Sequence, residues 1–212
     1  MKTDFKHIAV SGNIGVGKTT LTEKLAKHFN WQAQYENVIN NPYLNDFYND
    51  MQRWAFHIQI FFLNNRLQNL LEIRKGDQIF IQDRTIYEDA YIFALNLYNM
   101  GLMSQRDYNN YNAVFLTIEQ FINPPDLIIH LEASTEKLER QILKRGRSFE
   151  QNIRTDYLEK LNNHYSEWIQ NYNAGPKLII NCEDLNFDEN EADFQIVLDK
   201  IKTVLFGKEQ LL

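Results

Sequence analysis

The run Gly12-Asn13-Ile14-Gly15-Val16-Gly17-Lys18-Thr19, followed by Thr20, fits G-x-x-x-x-G-K-[ST], the spacing of a phosphate-binding loop. Glycines at these intervals let successive backbone N–H groups turn toward one anion, and a helix N-terminus behind them adds positive partial charge. Lys18 is then expected at the β- and γ-phosphates of ATP, and the Thr19 hydroxyl at a Mg²⁺ ion. An apolar run, His7 to Ser11, precedes the motif and a helical pattern follows it, which is the context the motif requires. A glycine-rich turn without a ligand is the bland alternative. No Asn-Lys-x-Asp occurs to read guanine, which argues against a GTPase. A motor ATPase on a nucleic-acid track fits poorly with a short acidic chain, so a small-molecule kinase remains.

Such a kinase must hold an acceptor oxygen in line with the γ-phosphoryl group and take its proton. A carboxylate at the carboxyl end of a strand suits a neutral alcohol acceptor, whereas a phosphate acceptor calls for an arginine clamp. Glu36 closes one strand-like run and Asp83-Arg84 another. Each has an ordinary structural reading beside this one, a solvated strand end for Glu36 and an ion pair for Asp83-Arg84. Asp83 is also a candidate for the Mg²⁺ site beside Thr19, as is Glu36.

The elements that must position these residues follow from periodicity. Short apolar runs at 7–11, 31–36, 78–83, 127–132 and 177–181 alternate with longer helical patterns at 18–29, 42–48, 53–74, 87–100, 105–121, 135–144, 155–172 and 191–206. That alternation predicts an α/β fold with a five-stranded parallel sheet flanked by helices. Several runs are nearly continuous Ile, Val, Leu or Phe, as strands buried on both faces should be. The run at 31–36 has the weakest pattern. Gly76, Ser104, Pro124-Pro125 and Gly175-Pro176 punctuate the boundaries.

The chain has 212 residues with 44% hydrophobic and 24% charged side chains, an ordinary globular composition, and one domain over 1–212 is expected. A formal charge of −6 disfavours a nucleic-acid backbone as partner. Apolar runs are far shorter than a membrane span requires, and the charged start MKTDFKH does not read as an export signal, so a cytosolic setting is expected. Cys182 is the one cysteine, which excludes an internal disulfide, and the five histidines lack zinc-ligand spacing. Aromatic residues reach 13%, compatible with a pocket for a flat ligand as well as with core filling.

Taken together, GNIGVGKTT at 12–20, Glu36 with NPYL at 41–44, FYND-x-x-RWAFHIQ ending at Gln59, Arg66, DRTIYEDAYIF at 83–93 and RGR-x-x-E at 145–150 resemble the deoxyribonucleoside kinases. The likeness is specifically to the branch containing deoxycytidine, deoxyguanosine and bacterial deoxyadenosine kinases. The resemblance spans nearly the whole chain. It implies a P-loop kinase fold in which Glu36 is the general base for a deoxyribose 5′-hydroxyl and Arg84 stabilises charge at the transferring group. It implies that Tyr48 and Glu150 hold the 3′-hydroxyl, that Gln59 meets the nucleobase edge, that Arg66 and Asp89 set base choice, and that Phe93 stacks on the base. Gln59 and Arg66 are seven apart, about two helical turns, so one face can present both.

The resemblance further implies an Arg-rich lid at about 144–152, with Arg145 and Arg147 on the donor phosphates, and a donor adenine near Cys182 to Asp184. The pattern departs from the family at Gln141, where an arginine is frequent and Arg140 stands one position off, and at Asn37, where proline is common. Family members are commonly homodimers, and some are inhibited by a deoxynucleoside triphosphate. An amino-substituted base suits Asp89 as acceptor and Arg66 as donor, which makes deoxyadenosine the expected acceptor, with deoxyguanosine or deoxycytidine the alternatives. A nucleoside monophosphate kinase and a non-catalytic nucleotide-binding module are the competing classes.

Overall fold

The protein is described here from a computed structural model covering residues 5–35, 41–147, 150 and 153–207. Five parallel strands form one sheet in the order β2-β3-β1-β4-β5. Strand β1 (His7–Gly12) is buried along its whole length and leads into helix α1 (Lys18–Phe29). Strand β2 (Gln32–Gln34) lies at the sheet edge, followed by the short helix α2 (Leu44–Asn49) and the long helix α3 (Met51–Lys75). Strand β3 (Phe80–Asp83) precedes helix α4 (Ile86–Glu88), a π-helical segment (Asp89–Ala94) and helix α5 (Leu95–Asn99), which run on without a break. Helix α6 (Gln105–Glu119), strand β4 (Leu127–Glu132), helices α7 (Thr135–Arg145) and α8 (Thr155–Asn171), strand β5 (Lys177–Asn181) and helix α9 (Glu191–Phe206) complete the order.

The central position of β1 explains its composition. It pairs with β3 on one side, Val10 opposite Asp83, and with β4 on the other, Gly12 opposite Leu131. A strand hydrogen-bonded on both edges and covered on both faces has no place for an unpaired polar group. One face packs Ile8, Val10, Ile129 and Leu131 with Leu21 and Leu25 of α1 and Val197 and Ile201 of α9. A second cluster, away from the sheet, joins Phe47 of α2, Ile58 of α3, Leu97 of α5 and Leu161 and Tyr165 of α8. It forms the wall of a cavity above the carboxyl ends of β1 and β3.

Two differences from the sequence expectation bear on the site. β2 is three residues of Gln-Ala-Gln rather than a run through Glu36, as an edge strand with half-exposed polar side chains gains little from extension. Glu36 itself lies outside the described residues, as do positions 148, 149, 151 and 152 of the expected lid. The helix expected at 87–100 begins at Ile86 and contains the π-helical turn, which no apolar spacing announces. Among the described residues no helix is long and apolar enough to cross a membrane.

Two buried histidines give the fold a pH dependence. Burial, helped by the Lys18 charge, pushes His130 from 6.5 down to about 3, and burial lowers His7 as well. Both rings are neutral in the fold, whereas the unfolded chain takes up protons near 6.5. The His130 contribution to stability is therefore present above about pH 6.5 and is lost as the pH falls toward 3, at about 1.4 kcal/mol per pH unit, and His7 acts in the same direction. His130→Asn should reduce the loss of melting temperature between pH 7 and 5 relative to the parent. An unchanged slope would mean that the His130 ring accepts its proton inside the fold.

Candidate active site

The phosphate loop is held from behind by its own side chains. Asn13 turns inward, with Nδ2 donating to Leu158 O at 3.0 Å and Asn162 Oδ1 at 2.6 Å, while its Oδ1 accepts the Ile14 N–H at 2.7 Å. Val16 packs into the core, so what the loop offers a ligand is backbone. Gly12 has no room for a side chain, since a Cβ there would stand 2.6 Å from Leu131 O. Gly17 caps α1 at a φ of 100° and leaves the first turn free of a side-chain cap or an acidic residue. Backbone N–H groups at such an uncapped terminus suit phosphate.

Lys18 is 7% exposed, and its Nζ donates to Asn13 O at 2.8 Å. Thr19 Oγ1 donates to Asp83 Oδ2 at 2.6 Å, whereas the buried Asp83 Oδ1 has no hydrogen-bond partner among the described residues. A hydroxyl beside a half-satisfied carboxylate is a suitable donor set for a hard divalent cation, which takes oxygen ligands and keeps several waters. Arg84 follows at the end of β3 in the left-handed region, φ 70°, an unusual conformation for a side chain of this size. Its N–H is fixed by Val10 O at 2.9 Å, and its guanidinium lies 4.3 Å from the centre of the Phe93 ring.

A cavity of about 370 Å³ opens above these residues, lined by Lys18, Thr19, Asp83 and Arg84 at one end and by Gln59, Asp89 and Phe93 at the other. Tyr48 and Glu150 also face it, with Leu44, Phe47, Ile58, Phe62 and Tyr157 as apolar walls. Asp89 and Phe93 both line the cavity, four positions apart on one continuous helical segment, a spacing that shares a face. The buried Gln59 Oε1 has no hydrogen-bond partner among the described residues. Arg66 does not line the cavity. It lies behind Asp89, with Nε 3.2 Å from Asp89 Oδ2 and Nη1 donating to Asp83 O at 2.9 Å, and both members of the ion pair are 2% exposed.

A second cleft of about 310 Å³ is lined by Gly15, Gly17, Thr20, Gln141, Lys144 and Asp188. It shares Lys18, Thr19, Arg145 and Arg147 with the first cavity, so the two meet at the loop lysine and these two arginines. Arg145 Nε and Arg147 Nη1 stand 3.0 and 3.5 Å from the Glu150 carboxylate. Gln141 faces the phosphate cleft from the position where an arginine was the family pattern. Asp184 lines neither cavity and is exposed. The loop that carries it is braced by Lys137, whose Nζ donates to Cys182 O, to Glu183 O at 2.8 Å and to Leu185 O at 2.7 Å.

Sequence reasoning did not find the apolar walls of the cavity, Lys137, Glu88 or Tyr165. Phe62 could have been read from Gln59, since positions three apart on α3 share a face, whereas Ile58, directly adjacent, could not. Thr85-x-x-Glu88 matches the capping-box spacing, a signal that was available.

The profile of the deoxynucleoside kinases matches residues 8–206. The chain belongs to the deoxynucleoside kinase family. It is 37% identical over 205 residues to the deoxyadenosine/deoxycytidine kinase of Bacillus subtilis, covering 96% of this chain and 94% of that one. It is 38% identical over 204 residues to a deoxyadenosine kinase of Lactobacillus acidophilus, covering 92% and 94% of the two chains. The structure of deoxyadenosine kinase from M. mycoides with bound dATP superposes with a TM-score of 0.82 at 29% identity, over 92% of this chain and 99% of that one. This deoxynucleoside kinase is thus a phosphotransferase on an α/β P-loop fold, with its parallel sheet carrying the loop on the central strand.

Proposed function

We propose that the protein transfers the γ-phosphoryl group of ATP to the 5′-hydroxyl of deoxyadenosine, as a single catalytic domain. Lys18 and the loop N–H groups hold the donor phosphates, with Arg145 and Arg147 over them and the adenine near Asp184. Thr19 and Asp83 would hold Mg²⁺, which supplies neutralisation of phosphate charge. The 5′-hydroxyl gives its proton to Glu36 as its oxygen bonds to the γ-phosphorus and the bridging bond to ADP breaks. Arg84 faces the charge that develops there. Tyr48 and Glu150 position the 3′-hydroxyl, and Phe93 stacks on the base.

The observation that supports adenine is the pair of acceptors, Gln59 Oε1 and the Asp89 carboxylate, on one cavity wall. An exocyclic amine donates to such a wall. Thymine presents a carbonyl at the corresponding place and sets lone pair against lone pair, which costs affinity steeply. Arg66 fixes Asp89 as an ionised acceptor by the buried ion pair. Initial rates with the four natural deoxyribonucleosides, and with deoxyadenosine monophosphate as a control acceptor, test the proposal. Deoxyadenosine should lead in kcat/KM, deoxycytidine or deoxyguanosine should follow, and thymidine and the monophosphate should be poor. Replacing Arg66 by Met and Asp89 by Ala together should lower the ratio of kcat/KM for deoxyadenosine over thymidine by about a hundredfold. A ratio equal to the parent's would place base choice elsewhere.

A homodimer in the cytosol, inhibited by a deoxynucleoside triphosphate, fits the same reading. Such a ligand would seat its base in the acceptor cavity and its phosphates against Lys18 and the lid arginines. The dATP in the M. mycoides relative supports this for the family.

A further inference from the structure

Glu88 is the third residue of α4, the position from which a glutamate reaches back to close a capping box, and one of its oxygens does so. Oε2 accepts the Thr85 N–H at 2.7 Å and the Thr85 hydroxyl at 3.1 Å. The cap has no use for the other oxygen. Oε1 accepts the Gly12 N–H at 3.3 Å and the Tyr165 hydroxyl at 2.9 Å, and the Tyr165 oxygen accepts Nη1–H of Arg84 at 2.8 Å. Glu88 is fully buried, and Tyr165 and Arg84 are 2% and 4% exposed. Four donors are aimed at the two carboxyl oxygens. A glutamine would serve the cap equally well. The cap therefore explains Oε2 and leaves a buried second oxygen, Oε1, which joins the phosphate loop to the arginine across the cavity.

The geometry points to a positioning relay in which Glu88, acting through Tyr165, fixes the Arg84 guanidinium relative to the backbone of the phosphate loop. Two features make Arg84 dependent on such a guide. Its backbone is in the left-handed region, and its guanidinium lies over the Phe93 ring, a contact that sets distance from the ring face but little direction within it. The Tyr165 hydroxyl supplies the direction. Tyr165 is fixed in turn, stacked on His130 at 5.6 Å and edge-on to Phe93 at 6.3 Å. Because the relay ends on Gly12, the first residue of the loop, the arginine and the donor phosphates share one reference point. The inference rests on the reading that Arg84 faces the transferring group, and displacing such a group by about 1 Å costs on the order of a hundredfold in rate.

A double-mutant cycle tests it, with kcat and both KM values measured for Tyr165→Phe, Glu88→Gln, Arg84→Ala and the Arg84→Ala/Tyr165→Phe double variant. Tyr165→Phe removes one oxygen atom and keeps the ring. It should lower kcat about 10- to 100-fold while KM for ATP and for deoxyadenosine stay within about threefold. Glu88→Gln should do the same. In the Arg84→Ala background the Tyr165→Phe change should cost less than about twofold more, because its partner is already gone. Equal losses in both backgrounds would show a merely structural tyrosine and overturn the relay. A Tyr165→Phe enzyme with the parent's kcat would overturn it as well, even with Arg84→Ala inactive. If instead Arg84→Ala keeps full turnover, the role of Arg84 itself fails, and the relay with it.

Discussion

Lys18→Ala should lower phosphoryl transfer by about a thousandfold or more and leave the far-ultraviolet circular dichroism of the protein unchanged. Lys18 stands where the donor cleft and the acceptor cavity meet, and its ammonium is already held within the loop by Asn13 O at 2.8 Å. An ammonium held this way is pre-oriented, so little is spent ordering it when the phosphates arrive. In a site shielded from water its charge acts on the γ-phosphoryl group at a far lower effective dielectric than in bulk. Arginine is not an equivalent, because a planar fork cannot replace a compact charge in a pocket shaped by a glycine loop. Single-turnover rates with saturating nucleotide check the prediction. Near-parent turnover in a folded Lys18→Ala protein would remove the loop from the chemistry.

Glu36→Gln keeps the shape and hydrogen-bonding reach of the side chain and removes its basicity. Loss of a general base typically costs about 10²–10⁴-fold, so kcat should fall by that factor while the dissociation constant of deoxyadenosine changes little. The competing carboxylate is Asp83, buried at the end of β3 with Oδ1 lacking a partner among the described residues. Asp83→Asn separates the two assignments. If Asp83 serves the cation, its loss raises the Mg²⁺ concentration needed for half-maximal rate. If it is the base, turnover falls at every Mg²⁺ concentration and Glu36→Gln loses less than about tenfold.

What could be read in the sequence depended on how local the determining interaction is. The phosphate loop was legible because its chemistry is a backbone conformation that only a fixed glycine spacing allows. β1 and β4 were legible because strands buried on both faces leave continuous apolar runs; β5, a half-exposed edge strand, was legible from its Leu-Ile-Ile run, and β4 and β5 fall on 127–132 and 177–181 as expected. β2 was overextended because an edge strand of Gln-Ala-Gln owes its pairing to β3 and not to its own pattern. The π-helical turn was invisible because it keeps the burial of an ordinary helix and so leaves no separate apolar spacing. Arg66 was placed on the right face of α3, yet its position behind Asp89 depends on Asp83 O, a partner on a different strand. Tyr165 lies 77 positions from Glu88, and no local spacing connects them.

The order of the strands also governs when this protein can first recognise its nucleotide. β1 is the earliest strand in the chain, but its neighbours are β3 and β4, so the loop at its end is completed only after segments about 70 and 120 residues downstream have docked. The close approach of Gly12 to Leu131 makes the dependence explicit. Closing such long loops is slow, and parallel pairings of this kind give high contact order. During synthesis, a nascent chain that has emerged only through α6 has the complete loop motif and no β4 against which to fold it. A nucleotide therefore acts late, binding an assembled sheet and stabilising it by mass action rather than guiding its formation.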